Sequence, residues 1–146
     1  MVERADNRAM LLGDLLDGMV DPAGNALIPI RGIALNSAEV KPGTLFLALA
    51  GRRTHGMRHL EQALQQGAVM VLAEPGGEWD RPRLVEIASR CRVPLLRVNG
   101  LSAKVGHIAA RFLAQASQQM RVIGVTGTNG KTSISHLLAQ ALRDQL

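Results

Sequence analysis

A chain of 146 residues with 47% apolar side chains and a formal charge of +5 has room for one full domain and the start of another. Its arginines are scattered, and it has no Tyr, two Phe and one Trp; no base-stacking platform is available, so the charge suits a polyanionic small molecule rather than nucleic acid. No apolar run approaches the roughly 18 residues of a membrane span, the charged N-terminus lacks a signal-peptide core, and Cys91, the single cysteine, excludes an intrachain disulfide and fits a reducing, cytoplasmic setting.

In chain order, the apolar spacing of Leu11, Leu12, Leu15, Leu16 and Met19 predicts a first helix over 9–19, ended near Gly18. Asp21-Pro22-Ala23-Gly24-Asn25 is a turn. A strand is expected over 33–36, a tight turn at Lys41-Pro42-Gly43-Thr44, and a buried strand over 45–49. Gly51-Arg52-Arg53-Thr54-His55-Gly56 is a polar loop. A helix over 57–66 stops at Gly67. The continuous apolar run 68–73 is what a strand covered on both faces requires. Pro75-Gly76-Gly77 breaks the chain. A short helix over 84–89, a strand over 94–98, and a helix capped by Asn99 or Ser102 and running to about 115 complete the first part. Strands alternate with helices, so the expected fold class is α/β with a small mixed sheet. Residues 1–99 form one expected domain, and 100–146 a linking helix and the start of a second. Met57, Met70 and Met120 read as core or joint filler. Trp79 reads as a packed loop residue, and His55 with His59 lacks the third ligand of a zinc site.

The most specific signal lies at 121–133. A short apolar strand over 122–125 is followed by Gly127-Thr128-Asn129-Gly130-Lys131-Thr132 and then by a helix. That is the setting of a phosphate-binding loop. The glycines let backbone N–H groups approach an anion, and a helix N-terminus adds partial positive charge. Lys131 reaches outer phosphates and the Thr132 hydroxyl is placed to ligate Mg²⁺. The general pattern has glycine where this chain has Val125. The helix carries one stripe of Ile134, Leu137, Leu138, Ala141 and Leu142. One strand and one helix cannot bury a nucleotide-binding sheet, so the chain is expected to be the front of a longer protein, and inactive alone.

The loop Gly127-Thr128-Asn129-Gly130-Lys131-Thr132 is similar to the ATP-loop signature of the Mur ligases, which lacks the first glycine of the general pattern. Upstream, Leu35-Asn36-Ser37, then 41–49, Gly51 and His55-Gly56 resemble the N-terminal domain of the MurE type. That type adds the third residue of the peptidoglycan stem peptide. The resemblance covers nearly the whole chain from Ile33. Thr128 after Gly127 separates it from the MurF type, whose first domain is alike; Asn129 separates it from the MurC type, and Thr132-Ser133 from folylpolyglutamate synthases.

The resemblance implies an ATP-dependent, amide-forming ligase acting on UDP-MurNAc-dipeptide and an amino acid through an acyl phosphate, a monomer at full length, with no nucleic-acid or membrane partner. Its implied cofactors are ATP and Mg²⁺. Lys131 would be catalytic at the β/γ-phosphates, Thr126, Gly127, Thr128, Asn129, Gly130, Lys131 and Thr132 would bind ATP, and Thr132 would also hold the metal. Leu35, Ser37, Arg52, Arg53 and Thr54 would contact the UDP-sugar. The family's usual Asp-Ser-Arg is Asn36-Ser37-Ala38 here, and its usual Asp-Gly is His55-Gly56. Loss of an arginine beside a diphosphate weakens a charge-assisted contact, which Arg52 and Arg53 are placed to offset. A MurF-type ligase, a small-molecule kinase built on the phosphate loop, and a UDP-sugar-binding module stay as alternatives.

Overall fold

The computed structural model describes residues 2–3, 9–52, 54–117, 126, 132, 134 and 137. Its elements in chain order are β1 (Val2–Glu3), β2 (Met10–Leu11), α1 (Leu12–Leu16), β3 (Pro29–Ile30), β4 (Gly32–Ala34), β5 (Thr44–Ala48), α2 (Leu60–Gln65), β6 (Ala68–Ala73), α3 (Arg81–Arg90), β7 (Leu95–Arg97) and α4 (Leu101–Ser117). Five strands form one sheet in the order β1-β4-β5-β6-β7; β1 is antiparallel to β4 and the remaining neighbours are parallel. A separate pair, β2 with β3, is antiparallel. The fold class is the mixed α/β expected from the alternation of elements.

Side-chain alternation along the central strands builds two cores. Leu45 and Leu47 of β5, with Met70 and Leu72 of β6, pack against Leu12, Leu15 and Leu16 of α1 and Leu101, Ile108 and Phe112 of α4. Phe46 and Ala48, with Val71 and Ala73, face Ala63 of α2 and Leu84 of α3. The sheet is thus sandwiched by helices, which is why the sequence reads as unbroken apolar runs over 45–50 and 68–73. Phe46 and Phe112 are fully buried on opposite faces, each contributing about 1.5–3 kcal/mol by burial. Arg111 of α4 donates from Nη1 to the carbonyls of Leu15 and Asp17, closing the end of α1.

Several elements differ from their expected extents for local reasons. The 9–19 segment is helical only over α1, because Met10 and Leu11 pair with Ile30 and Pro29. The chain then turns at Gly18, whose φ is +67°. The 57–66 helix opens as a 3₁₀ turn, Gly56–His59, before α2. The short helix over 84–89 extends to Arg81–Arg90, since the Asp80 carboxylate accepts the Arg83 N–H at 3.1 Å and Pro82 sits in the first turn. Ser102 lies inside α4 rather than before it, and its N–H is taken by the distant Glu74. Thr132, Ile134 and Leu137 are helical, with Ile134 and Leu137 exposed. Arg53, the strand 122–125, Gly127, Thr128, Asn129, Gly130, Lys131, Leu138, Ala141 and Leu142 lie outside the described residues.

Candidate functional site at the strand ends

Four parallel strands deliver four loops to one edge of the sheet, the edge where open α/β sheets bind ligands. Leu35 and Ser37 follow β4, the 50–55 loop follows β5, residues 74–79 follow β6, and Val98 leads to α4 after β7. Leu35, Ser37, Arg52 and Thr54 therefore come to the same end of the fold.

Their exposures differ. Leu35 is 51% exposed, an apolar side chain left open at the end of a buried strand. Arg52 and Thr54 are exposed. Ser37 is buried, and its hydroxyl donates to Gln62 Oε1 at 2.7 Å, so it ties the β4 loop to α2. Thr126 and Thr132 are exposed.

The two positions that depart from the family's usual aspartates act as caps. Asn36 Oδ1 accepts the Ala38 N–H at 3.0 Å and opens a 3₁₀ turn, Ser37–Glu39. His55 Nδ1 accepts the Met57 N–H at 3.1 Å and opens the turn before α2. A short side-chain acceptor is what such a position needs, and Asn and His supply one as Asp does. Because Nδ1 accepts, the ring proton sits on Nε2, which donates to the Glu74 carbonyl at 2.8 Å.

Close packing of the loops shapes a cleft of about 340 Å³ lined by Ala50, Gly51, Thr54, His55, Gly76 and Trp79 among others. A Cβ on Gly51 would stand 2.5 Å from the Thr54 carbonyl oxygen, and one on Gly76 would stand 2.7 Å from the Ala50 Cβ. Trp79 packs beside the His55 ring, with centroids 5.9 Å apart, and carries the Arg83 guanidinium 4.3 Å from its ring centroid. Arg58 donates twice to Glu78 Oε1, at 3.0 and 2.6 Å, on the rim. Both partners are about half exposed, so this pair orders the rim more than it stabilises the fold. A larger groove of about 430 Å³ between α2 and α3, lined by Leu60, Leu64, Ile87 and Cys91, contains none of the expected site residues.

Residues 29–113 match the model of the Mur ligase family, catalytic domain. The chain belongs to the Mur ligase family. It is 43% identical over 134 residues to the UDP-N-acetylmuramoyl-L-alanyl-D-glutamate–2,6-diaminopimelate ligase of Alkalilimnicola ehrlichii, covering 91% of this chain and 27% of that protein. It is 42% identical over 136 residues to the same-named ligase of Xanthomonas campestris pv. campestris, covering 93% and 25%. Among solved structures it is similar to the MurF ligase of Thermotoga maritima in complex with ADP, with a TM-score of 0.53 and 27% identity over 78% of this chain and 23% of that one. The chain spans about a quarter of the length of the curated relatives it matches.

Within this Mur ligase chain the matched span holds Leu35, Ser37, Arg52 and Thr54, whereas Gly127 to Thr132 lies beyond it. Sequence reasoning missed Glu74, which joins three of the strand-end segments. Its signal is a carboxylate set directly after an unbroken apolar strand, a place where an unpaired charge is costly. Among the described residues no group of three His, Cys, Asp or Glu side chains is placed to hold a metal, and no helix is long and apolar enough to cross a membrane.

Proposed function

We propose that this chain belongs to an ATP-dependent ligase that joins 2,6-diaminopimelate to UDP-MurNAc-L-Ala-D-Glu. The observation that carries the reading is the identity of 43% across 91% of the chain to relatives of that name. In this division of labour residues 1–99 hold the UDP-sugar and 100–146 lead into the ATP site, with α4 packed against the first part.

Leu35, Ser37, Arg52, Arg53 and Thr54 serve the UDP-sugar. Exposed Leu35 offers an apolar face, the Arg52 and Arg53 guanidiniums suit diphosphate oxygens, and the Ser37 hydroxyl aligns the β4 loop through Gln62. The N–H groups from Thr126 to Gly130 cradle the nucleotide phosphates, and Lys131 meets the charge that develops on the outer ones. The γ-phosphoryl group passes to the free carboxylate of the dipeptide, and ADP leaves. The amine of the incoming amino acid then attacks the acyl carbon; phosphate leaves, a proton is lost and an amide forms. Mg²⁺ takes oxygen ligands and keeps several waters, which fits one hydroxyl, Thr132, beside the nucleotide's own phosphates. Bound there, it neutralises phosphoryl charge.

The test is ADP release by the protein that carries this chain together with a complete ATP-binding part. Turnover is expected only when UDP-MurNAc-L-Ala-D-Glu, 2,6-diaminopimelate and Mg-ATP are all present. Turnover independent of the UDP-sugar would favour a small-molecule kinase. The solved MurF neighbour supports a second reading, a MurF-type ligase. That reading gains if UDP-sugar affinity is present but diaminopimelate is not accepted.

A further inference from the structure

Glu74 stands one residue beyond β6 and is only 8% exposed, the one carboxylate among the buried described residues. Its side chain accepts three hydrogen bonds. Oε2 takes the Ala50 N–H at 3.2 Å; Oε1 takes the Ser102 N–H at 3.2 Å and the Ser102 hydroxyl at 2.9 Å. Its main chain grips the same neighbourhood, with the N–H donating to the Ala48 carbonyl at 3.0 Å and the carbonyl accepting from His55 Nε2 at 2.8 Å. Ala50 and His55 also bridge one another. Residue 74 therefore holds the 50–55 loop at both ends, while Gly51, Arg52 and Thr54 between them stay exposed.

The core has no need of a carboxylate here. Taking one out of water is unfavourable unless its oxygens are fully paired, and an apolar residue would pack against the same strands without that requirement. What an apolar residue cannot do is accept backbone N–H groups from two separate segments. One is the start of the loop that bears Arg52 and Thr54. The other is the first turn of α4, where a carboxylate also meets the positive end of the helix. The geometry points to Glu74 as a positioning residue: it presents Arg52 and Thr54 to the diphosphate of the UDP-sugar and locks the segment that bears them to the helix that precedes the phosphate-loop motif in the chain. The inference rests on the ligase reading above for the identity of the ligand, but not for the hydrogen bonds.

The experiment uses the 146-residue chain and its variants Glu74→Gln, Glu74→Ala and Ser102→Ala. UDP-MurNAc-L-Ala-D-Glu affinity is read by calorimetry, the Ala50 amide by hydrogen exchange, and the folded fraction by circular dichroism at the same temperature. A glutamine has one acceptor oxygen, so it satisfies one arm and turns an N–H₂ toward the other donor. Glu74→Gln is expected to weaken UDP-sugar binding about tenfold and to speed Ala50 exchange about tenfold with the folded fraction unchanged. Ser102→Ala keeps the Ala50 arm and is expected to change affinity by about threefold or less. Glu74→Gln keeps nearly the same volume and carries the test should Glu74→Ala not fold. Unchanged affinity and unchanged Ala50 exchange, with only a lower melting midpoint, would overturn the inference. Failure of the unmodified chain to bind the UDP-sugar strikes the ligase reading instead. The Ala50 exchange then decides Glu74 alone, with faster exchange in Glu74→Gln or Glu74→Ala supporting the positioning role and unchanged exchange in both refuting it.

Discussion

The two edges of the parallel sheet share main-chain bonds but differ in how much side chains add to them. At the edge where the strands begin, most bonds run between main chains: Gly43 N–H donates to Gly67 O at 3.1 Å and Arg31 N–H to Gly43 O at 2.9 Å, while the Thr44 hydroxyl accepts the Lys41 N–H at 3.1 Å. Glycines at φ +88° and +100° make the turns. At the edge where the strands end, main-chain bonds such as Glu74 N–H to Ala48 O at 3.0 Å are joined by several side-chain bonds, with Ser37 on Gln62, His55 on the Met57 N–H and Glu74 on Ala50 and Ser102. Main-chain ties constrain the fold but carry little chemistry of their own. Side-chain ties place exposed loops at defined positions, which is what a binding edge requires. On the proposed function, the first edge serves stability and the second serves recognition.

Changes in three regions test that contrast, and the largest expected effect lies outside both edges. Lys131→Ala, in the protein with its ATP-binding part complete, is expected to lower ligase turnover by about a hundredfold or more while the UDP-sugar KM stays near normal, as loss of one charge at the transferring phosphoryl group predicts. Steady-state kinetics at saturating ATP checks it; near-normal turnover would remove this loop from the mechanism.

Gly67→Ala addresses the first edge. A Cβ there would stand 2.8 Å from the Pro42 Cα, and φ is +100°. The strain should cost about 1–3 kcal/mol and lower the melting midpoint by roughly 5–10 °C. UDP-sugar affinity of the folded fraction should not move. An affinity loss as large as the stability loss would break the division between edges.

Ser37→Ala combined with Arg53→Ala addresses the second edge. The UDP-sugar KM should rise about tenfold, with one neutral and one charge-assisted hydrogen bond removed, while the ATP KM changes by about twofold or less. A change confined to the ATP KM would show that the strand-end edge serves the nucleotide instead.

The smallest effect is expected from His55→Asp. Aspartate keeps an acceptor for the Met57 N–H but loses the bond to the Glu74 carbonyl, at about 0.5–1.5 kcal/mol. A denaturant titration should show that modest loss. A loss several times larger would mean that the His55 ring, packed beside Trp79, holds the loop by more than its two hydrogen bonds.

Much of the fold was legible because its signals are local. The apolar run 68–73 is β6 residue for residue, and β5 lies one residue upstream of its expected span. Gly67, read as a helix stop, has the positive φ that such a stop uses. The turn 21–25 was legible too, with Asp21 Oδ1 accepting the Ala23 N–H at 2.8 Å. The start of α3 was not read, although Asp80 followed by Pro82 announces it. The β2–β3 pairing was not readable, since its partners stand far apart in the chain and each strand is only two residues long.

For the site, residue types and spacing by themselves determined the α/β class, the polar loop 51–56 and the phosphate-loop motif, because turn glycines, apolar periodicity and Gly-Lys-Thr chemistry act within a few residues of one another. Tertiary structure alone decided that the ends of four strands converge, that Ser37 turns inward to Gln62, and that Glu74 joins Ala50 to Ser102. Glu74 lies 24 residues from Ala50 and 28 from Ser102. Contacts across such spans exist only once parallel strands are stacked in register, because crossover helices erase any fixed spacing between the partners.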